Sequence, residues 1–272
     1  MNIFKRFRIL PTLATNAPII VVFAGGMGTQ ILQAAVYFAA QKAGRVVFAD
    51  LSYFKTPRRI AQVGNKGQLT HWYWQLDHFG LPQSSFNSAD GMDVRYSDVV
   101  RDGPRMLELG LQALADSDIR GYFKDCGEIG DTLSPDVVGR FLCVHIRRGD
   151  YVNVASRLVS NEDFIHHIKK YSGLIENLVV LSDSAIEATF QDAISSYFKQ
   201  AMFLDNTDSL VAHRIMRCAK ILVCSNSTFS LTAATMNPNA LIIVPRKWFG
   251  DGSEELELPI HSRCSFQILE ST

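Results

Sequence analysis

The 272-residue chain has no excess charge of either sign: 27 Lys and Arg balance 27 Asp and Glu, and the pI is about 7.0. A global basic field is therefore absent. That argues against a nucleic-acid binder and leaves any anion site to be local. Long apolar runs are missing as well. The stretch from Met1 to Pro18 sets Lys5, Arg6 and Arg8 among apolar residues. It is too short and interrupted for a membrane span, and it lacks the apolar core of a signal peptide. We read residues 1–18 as a leader and expect a cytoplasmic protein, with a peripheral contact at the inner membrane face left open. The five cysteines include no CxxC pair, and the number is odd. Cys143 and Cys224 lie in apolar runs, so reduced buried thiols are expected rather than disulfides or zinc ligands. No P-loop, HExxH, GxSxG, internal repeat or low-complexity segment is present.

What is there is an ordinary globular balance, 47% hydrophobic and 20% charged. Apolar, β-branched runs of strand length alternate with helical patterns, which predicts an α/β class. Ile19 to Ala24 reads as a buried strand feeding Gly25-Gly26-Met27-Gly28-Thr29-Gln30. A helix from Ile31 to Ala43 and a strand from Arg45 to Ala49, ending at Asp50, complete the unit. A dinucleotide site would use Gly26, Gly28 and Asp50, but the third glycine of that fingerprint is replaced by bulky Ile31. The bland alternative is a tight turn whose glycines only let the helix pack. Residues 51–133 say less. Their Trp72, Tyr73 and Trp74 could stack on a sugar, though core packing is the plainer reading, and Asp116-Ser117-Asp118 reads as a solvated helix end before a short strand at Ile119 to Phe123.

Ser134-Pro135-Asp136 reads as a linker and helix start. Beyond it the alternation resumes: strands at Phe141 to His145, Leu178 to Leu181, Ala201 to Leu204, Ile221 to Cys224 and, last, Leu241 to Val244. Helices are expected over Asn161 to Tyr171, Ala185 to Phe198 (capped by Ser184, with Glu187 closing a capping box), Ser209 to Ala219 and Leu231 to Met236. Adjacent His166 and His167 point to different sides of a helix and make no metal pair.

Four strand ends carry polar groups: His145 with Arg147 and Arg148, Asp183, Asp205, and Ser225-Asn226-Ser227-Thr228. In a parallel sheet all four share one edge, where open α/β sheets bind ligands. Arginine forks suit phosphate oxygens, carboxylates suit ribose or base donors, and helix N-termini add amides for phosphate. Any one of them alone also reads as a cap or turn.

The segment His145-Ile146-Arg147-Arg148-Gly149-Asp150-Tyr151 resembles the HxRRGDY signature of the α-1,2-fucosyltransferases, glycosyltransferase family 11. Residues 25–35 resemble that family's GGxGNQxxQxA segment, with Thr29 in place of asparagine. Ile119 to Phe123 resembles its GYF strand. Asp205 through Met216 and Cys218 to Ser230 resembles its D…DL..M..C…ANSSFSWW segment, with Leu231-Thr232 in place of the tryptophan pair.

The resemblance implies a GT-B fold, two Rossmann-like domains with parallel sheets facing a cleft. We place the acceptor-side domain at 19–134 and the nucleotide-sugar domain at 135–272. It implies transfer of fucose, with inversion, from GDP-β-L-fucose to the 2-hydroxyl of a galactose-terminated glycan, with no metal or other cofactor. Arg147, supported by Arg148, is assigned to the leaving diphosphate. His145, Asp183 and Asp205 are assigned to guanine or ribose, and Ser225, Asn226, Ser227 and Thr228 to phosphate. Gly25, Gly26 and Gly28 would let a loop approach the donor. No base for the acceptor hydroxyl is evident; Asp150 is adjacent, as base or as partner of Arg148. A transferase with another nucleotide-sugar donor and a catalytically silent nucleotide- or glycan-binding module remain the alternatives.

Overall fold

The structure is a computed structural model that describes residues 17–55, 73–92, 97–123, 133–134, 136–149, 158–205, 207–237 and 240–245, and the backbone of 265–269. The chain divides into two compact units, Met1–Asp125 and Cys126–Thr272. Each contains a parallel sheet, so the expected α/β class with parallel sheets is observed.

In the first unit, β1 (Ile19–Val22) lies between β2 (Val47–Asp50) and β3 (Asp98–Val100), all parallel. The helix after β1, α1 (Met27–Lys42), starts four residues earlier than the sequence predicts. Gly25 makes the turn at φ 75°, a region that favours glycine, and Gly26 is extended at the cap. Gly28 is therefore a buried residue of the first helical turn rather than part of an open loop. Two short helices follow β3: α2 (Pro104–Leu114) and α3 (Ser117–Gly121). A Cβ on Gly110 would stand 2.7 Å from Leu32 Cβ, so glycine is what lets α2 cross α1 this closely. The strand predicted at Ile119 to Phe123 does not form: Ile119 to Gly121 end α3, and Tyr122 and Phe123 make the turn after it. Asp116 caps α3 by accepting from the Asp118 N–H at 2.8 Å, and Tyr122 stacks on Phe38 at 4.0 Å. Of the aromatic segment, Trp74 is core: it packs near Phe23, Phe54 and Phe86 and donates to Leu81 O at 2.8 Å.

Among the described residues the second unit has six parallel strands: β4 (Phe141–Ile146), β5 (Asn177–Ser182), β6 (Gln200–Asp205), β7 (Ile221–Val223), β8 (Leu241–Pro245) and β9 (Ser265–Leu269). Their order is β6-β5-β4-β7-β8-β9. Counted from β4, this is the doubly wound 3-2-1-4-5-6 order, which reverses between β4 and β7. Every residue of β4 is buried, as a central parallel strand covered on both faces requires. Leu142, Val144 and Ile146 face a core formed with Phe164, Ile168 and Tyr171 of α4 (Asn161–Ser172) and Phe190 and Ile194 of α5 (Ala188–Ser195). With a two-residue period His145 falls on the opposite face, against Phe229 of α7 (Thr228–Thr235), which follows α6 (Ser209–Arg217).

Three expectations are corrected in this unit. The helix predicted from Ala185 begins at Ala188, and Ser184 is no cap: its N–H bonds the Ser182 hydroxyl at 3.1 Å. Glu187 occupies the cap position, but its carboxylate accepts from Asn161 at 3.2 Å, so the capping box does not form. Residues 136–139 are a turn rather than a helix start, with the Val137 N–H on Ser134 O. And β8 is not the last strand, because β9 pairs alongside it. Cys143 and Cys224 are buried free thiols, as expected; burial pushes Cys143 well up and Cys224 up to about 12. Among the described residues no helix is long and apolar enough to cross a membrane.

Candidate active site

The register of the second sheet brings most of the sequence-predicted residues to one edge. His145 pairs with Leu181, Ile146 with Ser182, Ser182 with Asp205, and Val144 with Val223. The chain leaves β4 into Arg147, β5 into Asp183, β6 at Asp205 and β7 into Cys224 and Ser225. The strand order reverses between β4 and β7, and open sheets of this kind usually bind ligands in the crevice at that reversal.

His145 and Ser225 span that crevice: Nδ1 and Oγ are 2.8 Å apart, with donor and acceptor set by the tautomer. His145 is buried. Desolvation lowers its pKa to about 4, with Asp183 opposing and Arg147 adding to the shift. The imidazole is thus neutral at pH 7. Phe229 lies between it and a second buried histidine, His213, with ring centroids 5.5 and 5.4 Å away. His213 Nε2 is 3.2 Å from Thr232 Oγ1, and burial, chiefly, holds its pKa well below the ordinary value.

The two adjacent arginines have different fates. Arg147 forms an ion pair with Asp183 (Nη1 to Oδ2, 2.8 Å), with 13% of its side chain exposed. Arg148 turns into the fold. It donates to Val159 O at 2.8 Å and Asn161 Oδ1 at 2.7 Å, and it lies 5.9 Å from the Phe164 ring centre. Arg148 is thus a staple between the end of β4 and the start of α4. Asp183 Oδ1 accepts the Arg148 N–H at 2.8 Å and the Gly149 N–H at 3.2 Å. Gly149 suits that approach: a Cβ there would stand 2.5 Å from Asp183 Oδ2, so the carboxylate would have to shift. Asp150 lies outside the described residues.

After β7, Ser225, Asn226 and Ser227 are buried and Thr228 half-buried. Ser227 caps α7, its hydroxyl accepting the Phe229 N–H at 3.3 Å. Ser230 donates to Ser225 O and Ser227 O and fixes this turn. Asp205 is on the same edge but apart: it ends the edge strand, two strands from β4 and roughly 10 Å away at ordinary spacing, and it is exposed.

Gly25, Gly26 and Gly28 belong to the first unit, where their turn is closed by two buried glutamines that sequence reasoning missed. Gln30 donates to Gly25 O at 2.8 Å and Tyr73 O at 3.0 Å, and accepts from the Gln75 N–H at 2.9 Å. Gln33 accepts the Ala24 N–H at 3.0 Å. The available signal was two amides three residues apart in an otherwise apolar helix. His213, Asn161 and Glu187 were missed too; only His213 had a signal, a polar residue beside the inward-facing Ala212, Ile215 and Met216.

Asp116 and Asp118 are both paired with Lys42 at 2.7 Å. Among the described residues no group of three or more His, Cys, Asp or Glu is arranged to hold a metal ion.

No curated protein matches the chain. Among solved structures, NodZ alpha-1,6-fucosyltransferase soaked with GDP-fucose, an enzyme from Bradyrhizobium, is similar at 13% identity, covering 84% of this chain and 95% of that one, with a TM-score of 0.46. POFUT1 in complex with GDP-fucose is similar at 13% identity over 93% and 98%, with a TM-score of 0.47. Arabidopsis thaliana FUT1, as an arginine-to-lysine mutant with GDP, is similar at 10% identity over 84% and 70%, with a TM-score of 0.45. The stretch that contains β4 to β8, residues 127–255 and just under half of the chain, matches the family model of glycosyl transferase family 11.

Proposed function

We propose that the chain is an inverting glycosyltransferase that moves fucose from GDP-β-L-fucose to the 2-hydroxyl of a galactose-terminated glycan, in glycan or surface-polysaccharide assembly. The observation that carries the reading is the polar edge of the second sheet, where Arg147 follows β4 with its guanidinium on Asp183, inside the segment that matches the family model. The GT-B pairing of the two units, a cytoplasmic location and a membrane contact through the N-terminus belong to the same proposal.

In this reaction the acceptor oxygen forms a bond to the anomeric carbon as the bond from that carbon to the diphosphate breaks. GDP leaves with the electron pair, and the hydroxyl proton passes to a base. Charge grows on the diphosphate in the transition state, so an oriented guanidinium there lowers the barrier. Arg147 takes that role, and no metal or other cofactor is needed. Arg148 holds the turn. His145, neutral and fixed by Ser225 through Nδ1, presents its other edge to guanine or ribose. Asn226 and Thr228, with the amides at the start of α7, meet phosphate. Asp205 reaches the far side of the nucleotide, and Asp150, next after the Arg147–Gly149 turn in the sequence, serves as base or as partner of Arg148.

A panel of nucleotide sugars, each tested with and without galactosides and read by release of free nucleotide, tests the reading. GDP release from GDP-fucose that rises with a galactoside is expected, with product linkage assigned by NMR. Release from a different donor moves the assignment to another transferase. GDP binding without turnover of any donor leaves a silent binding module.

A further inference from the structure

The β4–β5 register places Asp183 directly beside Arg147, one step beyond the last ladder pair, Ile146 with Ser182. Both oxygens of its carboxylate are engaged by the turn that follows β4. Oδ1 accepts two successive backbone N–H groups, those of Arg148 and Gly149, and lies 3.5 Å from the Ser184 hydroxyl. Oδ2 takes the Arg147 ion pair at 2.8 Å. Successive amides converging on one oxygen form a small anion-binding nest, and here the chain's own carboxylate fills it. Gly149 leaves no room for a side chain against that carboxylate, so the turn is built around Asp183. Oδ1 is filled by these donors, so a ribose hydroxyl or a guanine edge would have to share Oδ2 with Arg147.

We infer that Asp183 is a positioning residue, which shapes the Arg147–Gly149 turn and aims the Arg147 guanidinium, and that it does not bind the sugar nucleotide itself. The inference rests on the function proposed above. It reverses the role that the sequence assigns to Asp183, that of a contact to guanine or ribose. It also accounts for the neighbouring arginines: Arg148 fastens the turn to α4 from one side, Asp183 fastens it to β5 from the other, and Arg147 is held between them.

The test is a double-mutant cycle of Asp183→Asn and Arg147→Ala, read by turnover of GDP-fucose and by calorimetric GDP affinity. Asparagine keeps an oxygen for the two amides and loses the charge that orients Arg147. For Asp183→Asn, turnover falls by about 30-fold while GDP affinity changes by less than about 3-fold; the double variant is no slower than Arg147→Ala within about 3-fold, because both changes remove one interaction. Asp183→Glu, which keeps the charge but moves it by a methylene, shows the same split between turnover and affinity. It stands in should the asparagine variant fail to fold. Weakened GDP binding in either variant, with effects that multiply with Arg147→Ala, overturns the inference and returns Asp183 to the donor-contact role. A wild-type protein that neither binds GDP nor turns over GDP-fucose overturns the proposed function, and this inference with it. The two failures are told apart by the wild-type measurement.

Discussion

Both units lead a buried parallel strand out through glycine, at β1 into Gly25 and at β4 into Gly149, and they complete the two turns with opposite chemistry. At β1 the closing groups are neutral amides: Gln30 and Gln33 satisfy the backbone of the turn and of residues 73–75. At β4 the closing groups are charged: Asp183 takes two amides and Arg147, while Arg148 takes a carbonyl and an amide oxygen. Amide closure satisfies the backbone of the turn with neutral groups, at the cost of leaving Gln33 Nε2 buried without a partner. Ionic closure holds the Arg147 guanidinium in place on Asp183. The comparison teaches that the second turn is arranged for electrostatics and the first for rigidity, and each can be broken by its own substitution.

The largest expected effect is on the charged turn. Arg147→Lys keeps the charge and loses the planar fork, so it tests geometry rather than net charge. Turnover of GDP-fucose should fall at least about 100-fold, the size of one lost transition-state donor, roughly 3 kcal/mol. The loss should fall on kcat more than on KM, and the circular-dichroism spectrum should be unchanged. A folded variant with wild-type kcat would remove Arg147 from the reaction.

Acid should separate the turns next, because amides do not titrate in this range and His145 does. Its folded pKa is about 4, against an unperturbed value of 6.5. As pH falls, the unfolded chain takes up the proton first. The contribution of a neutral His145 is therefore complete above about pH 6.5 and is lost progressively towards pH 4. The full loss is about 3 kcal/mol, from 1.36 kcal/mol per unit. His213 is shifted in the same direction and adds to it. Urea midpoints at pH 7.5 and pH 4.5 measure the difference, and His145→Asn should reduce it. A difference unchanged in that variant would mean that His145 is charged, or accessible to protons, in the fold.

A smaller effect is expected in the neutral turn. Gln30→Ala leaves the buried Gln75 N–H without its acceptor and removes the donors to Gly25 O and Tyr73 O. One unsatisfied buried group costs about 1–3 kcal/mol, and a loss of about 2 kcal/mol in urea denaturation is expected, with kcat of the remaining folded protein unchanged. A fall in kcat at unchanged stability would show that the first turn also serves the reaction.

How much of this the sequence discloses depends on whether the deciding contact is local. Strands β4, β5, β7 and β8 are legible because central parallel strands are apolar on both faces, and β-branched runs between polar turns have few other uses. Ile119 to Phe123 is a weaker pattern, with one β-branched residue beside Arg120 and Gly121, and its first three residues end a helix that Asp116 caps, while Phe38, some eighty residues earlier, stacks on Tyr122. β3 has only three residues, too few to show a pattern. In the site, the positions of charge at strand ends are readable, but their commitments are not. Nothing in the order Arg147-Arg148 says which of them pairs with Asp183 and which turns into the fold; the β4–β5 register and the return of the chain at Val159 and Asn161 decide it. Likewise a Ser-Asp-Ser turn looks like a ligand contact until the amides of another strand end are seen to occupy it.

The smallest expected effect concerns the acidic pair in the first unit, and it sharpens the comparison by asking whether charge outside the second turn matters. A pair spaced as Asp116 and Asp118 is what a metal-dependent glycosyltransferase would use to hold a divalent ion on a diphosphate. Here the Asp116 carboxylate caps α3, and both acids are ion-paired with the same lysine, Lys42. Asp118 is 73% exposed, so water competes for its charge and its pair contributes little. An ion there would have to replace Lys42 and would compete with the cap. EDTA should therefore leave turnover of GDP-fucose unchanged, added manganese should not raise it, and Asp118→Asn should match the wild type in both kcat and melting temperature. If EDTA abolished turnover and manganese restored it, the diphosphate would be neutralised by a metal and not by the Arg147 turn alone. If Asp118→Asn then lost the manganese response, the ion would be located at this pair. The division between a rigid first turn and an electrostatic second one would have to be redrawn.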